Sequence, residues 1–281
     1  MKPLIRGSLI LIVLLAGQVQ AQSLQNGSLV IAGGGILDPE ILDRFVELAG
    51  GPESHIVVIP TASASDSFSV NFRGLQSFRE REVSNVTLLH TRDRATANAD
   101  SFVQVIHNAN GVWFTGGRQW RLADSYLNTK TEDALWELLE RGGVIGGSSA
   151  GATIQGSYLA RGDTKTNTIM MGDHEEGFGF LQNTAIDQHL LRRNRQWDLL
   201  EILHAHPEML GIGIDENTAI VVQQDWFEVI GSSYVVIYDR QRMIEGGSHY
   251  YFLSPGDTYY LPERSPHRNN EPLERVIKRT W

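Results

Sequence analysis

Short apolar runs alternate with amphipathic segments through the first two thirds of the chain. Each run holds four or five residues, and most are followed by glycine or small polar residues. Buried strands joined by crossover helices produce this alternation. The predicted strands are Ser28–Ala32, Ile56–Pro60, Val86–His90, Val112–Thr115 and Val144–Gly147. We therefore expect an α/β fold with a mostly parallel sheet and helices on both of its faces.

Two of the intervening segments carry clear helix boundaries. One starts at Pro39, has apolar residues at helical spacing, and ends at Gly50. The other opens with Thr129 and Glu132 at the spacing of a capping box and ends at Gly142. Both predict amphipathic helices that lie against the sheet.

The pattern changes in the last third of the chain. Ile212–Val222 and Phe227–Tyr238 are predicted strands, the second forming an antiparallel edge, whereas Pro255–Trp281 is polar, charged and contains proline. Neither an internal repeat nor a low-complexity linker interrupts the sequence. We therefore expect one domain over residues 22–281.

The first residues have the composition of a secretory signal. In Met1–Ala21, Lys2 and Arg6 form a basic head, Leu9–Ala16 an apolar core, and Ala21 closes a small-x-small cleavage site. The apolar run is too short to span a bilayer. We expect an exported protein, periplasmic or extracellular, without a membrane partner.

The composition of the chain excludes several kinds of active site and partner. The chain has no cysteine, which excludes a thiolate nucleophile, a thiolate metal site and a disulfide. A net charge of −9 argues against nucleic acid as a partner. His204 and His206 have strand-type metal spacing, but Pro207 follows and no third ligand is near, so we expect no metal at these histidines.

A glycine-flanked serine follows the predicted strand Val144–Gly147. The pattern Gly147-x-Ser149-x-Gly151 is that of a nucleophile elbow, a sharp turn from strand to helix that needs small neighbours. A turn rich in glycine with an incidental serine is the alternative. In an elbow, Ala150 is the first residue of the helix. Its backbone N–H is then free to stabilise an oxyanion.

A serine nucleophile needs a base, and His189 is the best candidate among nine histidines. It follows Asp187 and Gln188 and precedes the arginine-rich segment 192–195. Arginines beside a base indicate a pocket for an anionic substrate, although a solvated helix face has the same pattern.

Two further segments lie within a predicted strand or directly after one. Asp215-Glu216 offers a pair of carboxylates for acid/base work, but hydrogen bonding at a strand end is the favoured interpretation. Gly33-Gly34-Gly35 follows the first strand without the spacing of a dinucleotide site, so we expect a tight turn that lines a cleft.

Four blocks together resemble cyanophycinases and the related aspartyl dipeptidases, and the likeness runs from about Ser28 to about Asp239. The blocks are Phe114 to Gln119, Gly147 to Ala152, Asp187 to His189 with Arg193 and Arg195, and Gly213 to Ala219. The resemblance implies a serine exopeptidase that cleaves α- or β-aspartyl peptide bonds. It also implies a fold similar to the class I glutamine-amidotransferase domain, with no metal and no cofactor.

The resemblance assigns roles to residues of this chain. It implies Ser149 as the nucleophile, His189 as the general base and Asp163 as the acid that orients the imidazole. It places Ala150 and Gly117 in the oxyanion hole. The implied substrate-binding residues are Gln119, Asp187, Gln188, Arg193 and Arg195. The sequence departs from cyanophycinases at Asp198, where they carry a further pocket arginine, and this opposes cleavage of cyanophycin, a polyaspartate with arginine side groups.

The expected substrate is therefore a short acidic aspartyl peptide or polymer. A homodimer is a further possible partner of the chain.

Two other functions fit the elbow. An esterase of the α/β-hydrolase type usually has its histidine late in the chain, whereas His189 follows Ser149 by 40 residues. A non-catalytic protein that captures acidic peptides would use the same cleft without a reactive serine.

Overall fold

The computed structural model describes residues 24–241 and 250–269, so the predicted secretory signal lies outside the described residues. Within those ranges the strands are β1 Leu24–Ala32, β2 His55–Ile59, β3 Asn85–Leu88, β4 Gly111–Phe114, β5 Val144–Ser148, β6 Gly156–Tyr158, β7 Leu181–Gln188, β8 Leu210–Ile214, β9 Thr218–Gln224, β10 Trp226–Gly231, β11 Val235–Asp239, β12 Tyr250–Leu253, β13 Thr258–Tyr260 and β14 Ser265–His267. The helices are α1 Pro39–Leu48, α2 Arg73–Arg79, α3 Arg94–Ala97, α4 Asp100–His107, α5 Gln119–Tyr126, α6 Lys130–Glu140, α7 Ala150–Thr153 and α8 Leu199–Ala205. None of the helices in this part of the chain is long and apolar enough to cross a bilayer.

A nine-stranded sheet forms the centre of the molecule, in the order β14-β13-β10-β9-β1-β5-β4-β2-β3. The five strands from β1 to β3 in this order are parallel, and β9, β10, β13 and β14 extend the sheet with antiparallel pairs. The five strands predicted from the apolar runs are these five parallel strands. The prediction of a mostly parallel sheet with an antiparallel edge is confirmed.

Helices cover both faces of this sheet, as predicted. On one face α1 and α2 pack their apolar residues on the strands, where the rings of Phe45, Phe78 and Trp113 lie within 5.9 Å of one another. The other face buries residues of α4, α6 and α7 together with one face of a second sheet. Apolar burial on two faces explains why the central strands are uninterrupted apolar runs.

Helix α6 begins at the predicted cap, although the capping box differs in detail. The hydroxyl of Thr129 accepts the N–H of Thr131 at 3.3 Å. The carboxylate of Glu132 accepts the N–H of Asn128 at 2.6 Å rather than that of Thr129. The helix start is therefore stabilised by the two predicted side chains, one of them through a different backbone donor.

The second sheet has five strands in the order β12-β11-β8-β7-β6. The sequence prediction of two long strands at 212–222 and 227–238 is wrong, because each run divides between the two sheets. The first breaks after β8, where Asn217 has a φ of 55°, and the second breaks after Gly231, whose φ is 101°. Positive φ turns the chain sharply, so β8 and β11 join the second sheet while β9 and β10 join the first.

The two sheets bring several strand ends to one place. The turn after β1 bonds the segment after β7, through the N–H of His189 and the carbonyl of Gly33 at 3.0 Å. It also bonds the segment after β5, through the N–H of Ser149 and the carbonyl of Ala32 at 3.1 Å. The carboxyl edge of the parallel strands therefore gathers the candidate residues.

Candidate active site

Ser149 occupies a strained turn between β5 and α7. Its φ of 57° and ψ of −113° are rare for a residue with a side chain. A Cβ atom at Gly147 would lie 2.4 Å from the carbonyl oxygen of Gly151, and one at Gly151 would lie 2.2 Å from that of Phe114. The two glycines are therefore required by close backbone approach, as in a nucleophile elbow.

A line of hydrogen bonds joins Ser149, His189 and Glu216. The Ser149 Oγ lies 2.9 Å from His189 Nε2, and His189 Nδ1 lies 2.6 Å from Glu216 Oε1. Since an ionised carboxylate only accepts, Nδ1 carries the proton and Nε2 is free to accept from the hydroxyl. This arrangement can activate a serine for attack on a carbonyl carbon.

The prediction that Asp163 orients His189 is wrong. The Asp163 carboxylate accepts the N–H groups of Lys165, Thr166 and Asn167 and the Thr166 hydroxyl. These bonds, led by that from the Thr166 hydroxyl, lower the pKa of Asp163 to about 2. The carboxylate closes a local turn, and the position on His189 Nδ1 belongs to Glu216.

Asp215 has the strand-end role that the sequence favoured for the pair. Its Oδ1 accepts the N–H groups of Leu191 and Arg192 at 3.0 and 2.9 Å, and its Oδ2 accepts the Ser233 hydroxyl at 2.7 Å. Adjacent carboxylates thus hold two neighbouring segments, Asp215 the arginine-rich turn and Glu216 the histidine. The sequence offered Glu216 only as one of two adjacent carboxylates within the predicted strand Ile212–Val222, because the end of β8 at Ile214 was not foreseen.

Burial lowers the pKa of the His189 imidazole below its ordinary value of 6.5. The hydrogen bond to Glu216 raises this pKa, and the positive charge of Arg193 lowers it. Burial dominates, so the imidazole is neutral at neutral pH. A neutral imidazole can take a proton from the Ser149 hydroxyl.

The turn after β4 places two glycines beside Ser149. A Cβ at Gly116 would lie 3.3 Å from the Cβ of Ser149, and one at Gly117, whose φ is 148°, would lie 2.1 Å from the Ala62 carbonyl oxygen. The N–H groups of Gly117 and Ala150 have no hydrogen-bond acceptor among the described residues. Both predicted oxyanion donors therefore have a free N–H, one directly after Ser149 and the other directly after Gly116.

Of the five predicted substrate-binding residues, Arg193 alone is exposed, and the structure buries three others. Gln119, Asp187 and Gln188 are at most 2 % exposed. The Nε2 of Gln119 donates to two carbonyl oxygens of the loop after β6, at 2.8 Å each. Arg195 donates to the backbone and side-chain oxygens of Gln188 at 3.1 Å, with a tenth of its side chain exposed. Gln119 and Arg195 are thus hydrogen-bonded to other parts of the protein.

A buried arginine to which the sequence assigned no role pairs with two of the carboxylates near these residues. Arg161 donates to both carboxylate oxygens of Asp187, at 2.9 and 3.1 Å, and also pairs with Asp198. The Asp198 carboxylate is therefore paired with Arg161, which it shares with Asp187, while a third of its side chain stays exposed. No local pattern links these three residues, because the ion pairs join distant parts of the chain.

We expect Asp187→Ala to lower the free energy of unfolding by about 3–5 kcal/mol, because it removes one partner of a buried ion pair. Urea unfolding measures this as a lower midpoint with an unchanged slope. Asp100→Ala is the control, since Asp100 forms an exposed pair with Lys130 and such pairs contribute little. Equal stability of the two variants would contradict the buried network.

The two histidines with metal-type spacing do not form a metal site among the described residues. Within residues 24–241 and 250–269, no three His, Asp or Glu side chains are grouped as a metal site would need. His204 Nδ1 lies 3.2 Å from Arg240, and His206 Nδ1 lies 3.7 Å from Glu208. The two histidines singled out by their spacing thus contact different partners.

Comparison with known proteins gives close relatives over most of the chain. The cyanophycinase of Geminocystis herdmanii (strain PCC 6308) is 34 % identical over 228 residues, which cover 79 % of this chain and 84 % of the relative. The cyanophycinase of Nostoc sp. (strain PCC 7120 / SAG 25.82 / UTEX 2576) is 30 % identical over 277 residues, covering 88 % and 92 %. The resemblance inferred from four sequence blocks is confirmed.

A solved structure agrees with this result. The crystal structure of a peptidase from an acI-B1 Actinobacterium superposes with a TM-score of 0.66 and 25 % identity, covering 86 % of this chain and 98 % of that one. The model of peptidase family S51 matches residues 29–230, which include the elbow, the histidine and the glutamate of the hydrogen-bonded line. The chain therefore belongs to peptidase family S51 and is a serine-type peptidase.

Proposed function

We propose that this protein is an exported serine exopeptidase that hydrolyses aspartyl peptide bonds, β-aspartyl bonds above all. The observation that carries the proposal is the line from Ser149 through His189 to Glu216 with the exposed Arg193 beside it. The named cyanophycinases among its relatives support an aspartyl substrate.

In the proposed reaction, Ser149 Oγ attacks the carbonyl carbon of the aspartyl amide while His189 Nε2 takes the hydroxyl proton. The N–H groups of Ala150 and Gly117 stabilise the oxyanion. His189 then returns the proton to the leaving amine, which gives an acyl-enzyme. Water, deprotonated by the same nitrogen, hydrolyses the ester, and Glu216 stabilises the imidazolium in both steps.

Arg193 supplies the charge that would select an acidic substrate. Its backbone N–H bonds the carbonyl of His189 at 3.0 Å, so it is held one turn from the base. Its guanidinium is exposed and has no hydrogen-bond or ion-pair partner in the part of the chain that the structure describes. A free guanidinium binds a carboxylate through two parallel N–H bonds.

The pH profile of kcat/KM tests this placement. Protonated His189 cannot act as a base, so activity falls as the pH drops through its pKa, which lies below 6.5. Because the Arg193 charge lowers that pKa, Arg193→Ala should move the acid limb to higher pH. Arg192→Ala is the matched control, for Arg192 is an exposed neighbour that is not among the main causes of the lowered His189 pKa. An unmoved limb in Arg193→Ala, or an equal shift in both variants, would contradict the placement.

A screen of the purified protein against α-aspartyl dipeptides, β-aspartyl dipeptides, cyanophycin and a simple aryl ester tests the substrate class. We expect β-aspartyl dipeptides to have the highest kcat/KM. Preference for the aryl ester would instead support an esterase. Preference for cyanophycin would show that the Asp198 carboxylate, which pairs with Arg161, does not keep long polymers from Ser149.

The remaining parts of the proposal concern location and assembly. Export rests on the signal-like composition of Met1–Ala21. Expression with the full leader and N-terminal sequencing of the product would test it, and a mature chain that starts at Gln22 is the expected result. A homodimer stays a prediction, which sedimentation of the purified protein would test.

A further inference from the structure

Consecutive carbonyl groups at the end of β1 bond the backbone of the proposed catalytic residues. The carbonyl of Ala32 accepts the N–H of Ser149 at 3.1 Å, and the carbonyl of Gly33 accepts the N–H of His189 at 3.0 Å. Ser149 follows β5 of the first sheet, whereas His189 follows β7 of the second. The end of β1 therefore sets the positions of nucleophile and base relative to each other.

The carbonyl of the next residue, Gly34, bonds the segment that carries Glu216. Gly34 accepts, through its carbonyl, the N–H of Asn217 at 3.0 Å, and Asn217 directly follows Glu216. The side chain of Asn217 in turn accepts the N–H of Asp38 at the start of α1. One tripeptide, residues 32–34, thus holds all three segments that carry the hydrogen-bonded line.

The three residues that donate to this tripeptide share an uncommon backbone. Ser149, His189 and Asn217 have φ values of 57°, 54° and 55°. Such conformations are unfavourable for residues with a side chain and persist where surrounding contacts determine them. The three hydrogen bonds that the carbonyls of residues 32–34 accept are contacts of this kind.

The glycines of the same turn leave no space for side chains. A Cβ at Gly34 would lie 2.4 Å from His189 Cε1 and 2.8 Å from His189 Nε2, and one at Gly35 would lie 2.7 Å from Glu216 Oε2. Both glycines have positive φ, 110° and 75°. The backbone therefore lies directly against the imidazole and the carboxylate.

We propose that Gly34 and Gly35 are positioning residues, which hold His189 and Glu216 in line with Ser149 because they lack side chains. The inference rests on the proposed function only in taking Ser149 and His189 as the reacting pair. A methyl group at residue 34 has to displace the imidazole or the turn. Either movement separates Nε2 from the Ser149 hydroxyl, and a misplacement of about 1 Å can reduce the rate about 10²-fold.

The test compares Gly34→Ala with Gly50→Ala. Gly50 has nearly the same φ, 104°, but a Cβ there meets nothing within 4 Å, and it lies at the end of α1, away from the active site. Both alanines bear a similar backbone cost, and Gly34→Ala bears the steric clash in addition, so the larger loss in Tm is expected for Gly34→Ala. Only Gly34→Ala should lose about 10²-fold in kcat, with KM little changed.

Labelling of Ser149 by a fluorophosphonate separates this inference from the choice of substrate, since the reagent needs only an activated serine. Gly34→Ala should be labelled about 10²-fold more slowly than Gly50→Ala. Equal labelling rates in the two folded variants would overturn the inference even if the wild type cleaves aspartyl dipeptides. Slower labelling of Gly34→Ala would support it even if no aspartyl peptide is cleaved, and a wild type that is not labelled would overturn both.

A second matched pair decides the question if Gly34→Ala does not fold. Gly35→Ala places its methyl against the flexible carboxylate of Glu216, and Gly51→Ala, with a φ of 88°, meets nothing within 4 Å. Slower labelling of Gly35→Ala than of Gly51→Ala is expected. Equal rates in this pair would overturn the inference.

Discussion

Ser149→Ala is expected to reduce kcat for a β-aspartyl dipeptide by on the order of 10⁶, the usual loss for a serine nucleophile. The fold should remain intact, because Ser149 is partly exposed and only its hydroxyl enters the hydrogen-bonded line. Steady-state kinetics and thermal unfolding of the purified variant measure both quantities. Activity above a few per cent of the wild type would exclude Ser149 as the nucleophile.

The same logic extends to the base. His189→Ala should be nearly as damaging, and the double variant should be no worse than either single variant, because nucleophile and base act as one unit. Additive losses in the double variant would show that the 2.9 Å contact between Ser149 and His189 is not used in the reaction.

Glu216→Gln is expected to lower kcat about 10⁴-fold with little change in KM. The glutamine has the size of the glutamate, but its amide cannot stabilise the imidazolium, and its NH₂ group favours the wrong imidazole tautomer. The missing stabilisation matters only when His189 becomes charged during the reaction. The effect therefore appears in kcat. Stopped or continuous assays over a range of substrate concentrations separate the two constants.

Asp163→Asn is the comparison variant for this result, because the family resemblance implied that carboxylate as the acid. Among the described residues, its oxygens accept hydrogen bonds from residues 165–167, so we expect lower thermal stability and nearly wild-type kcat. If Asp163→Asn lost activity and Glu216→Gln retained it, the geometry around His189 Nδ1 would not be that of the working enzyme.

Much of the fold could be predicted from the sequence, since it depends on local patterns. Uninterrupted apolar runs mark strands buried on both faces, and glycines on both sides of Ser149 mark a sharp turn. The second sheet could not be predicted in this way. The run from Ile212 to Val222 is apolar on both sides of residues 215–217, and only the positive φ of Asn217 sends its halves into different sheets.

The candidate site was likewise predictable only where local sequence patterns mark its residues. Ser149 and His189 stand next to recognisable neighbours in sequence, whereas the acid had to be chosen among several carboxylates at similar distance along the chain. Pairing across the two sheets brings Glu216 to the imidazole. Long-range burial likewise decides that Asp187 meets Arg161 and that Arg193 stays exposed.

The central claim is that Ser149, activated through His189 and Glu216, is the reacting serine of this peptidase. Reaction of the wild type with a fluorophosphonate, followed by intact mass and peptide mapping, tests it most directly. The account predicts one adduct, on Ser149, which is absent in Ser149→Ala and forms far more slowly in Glu216→Gln. An adduct on another serine, or an equal rate in Glu216→Gln, would contradict it.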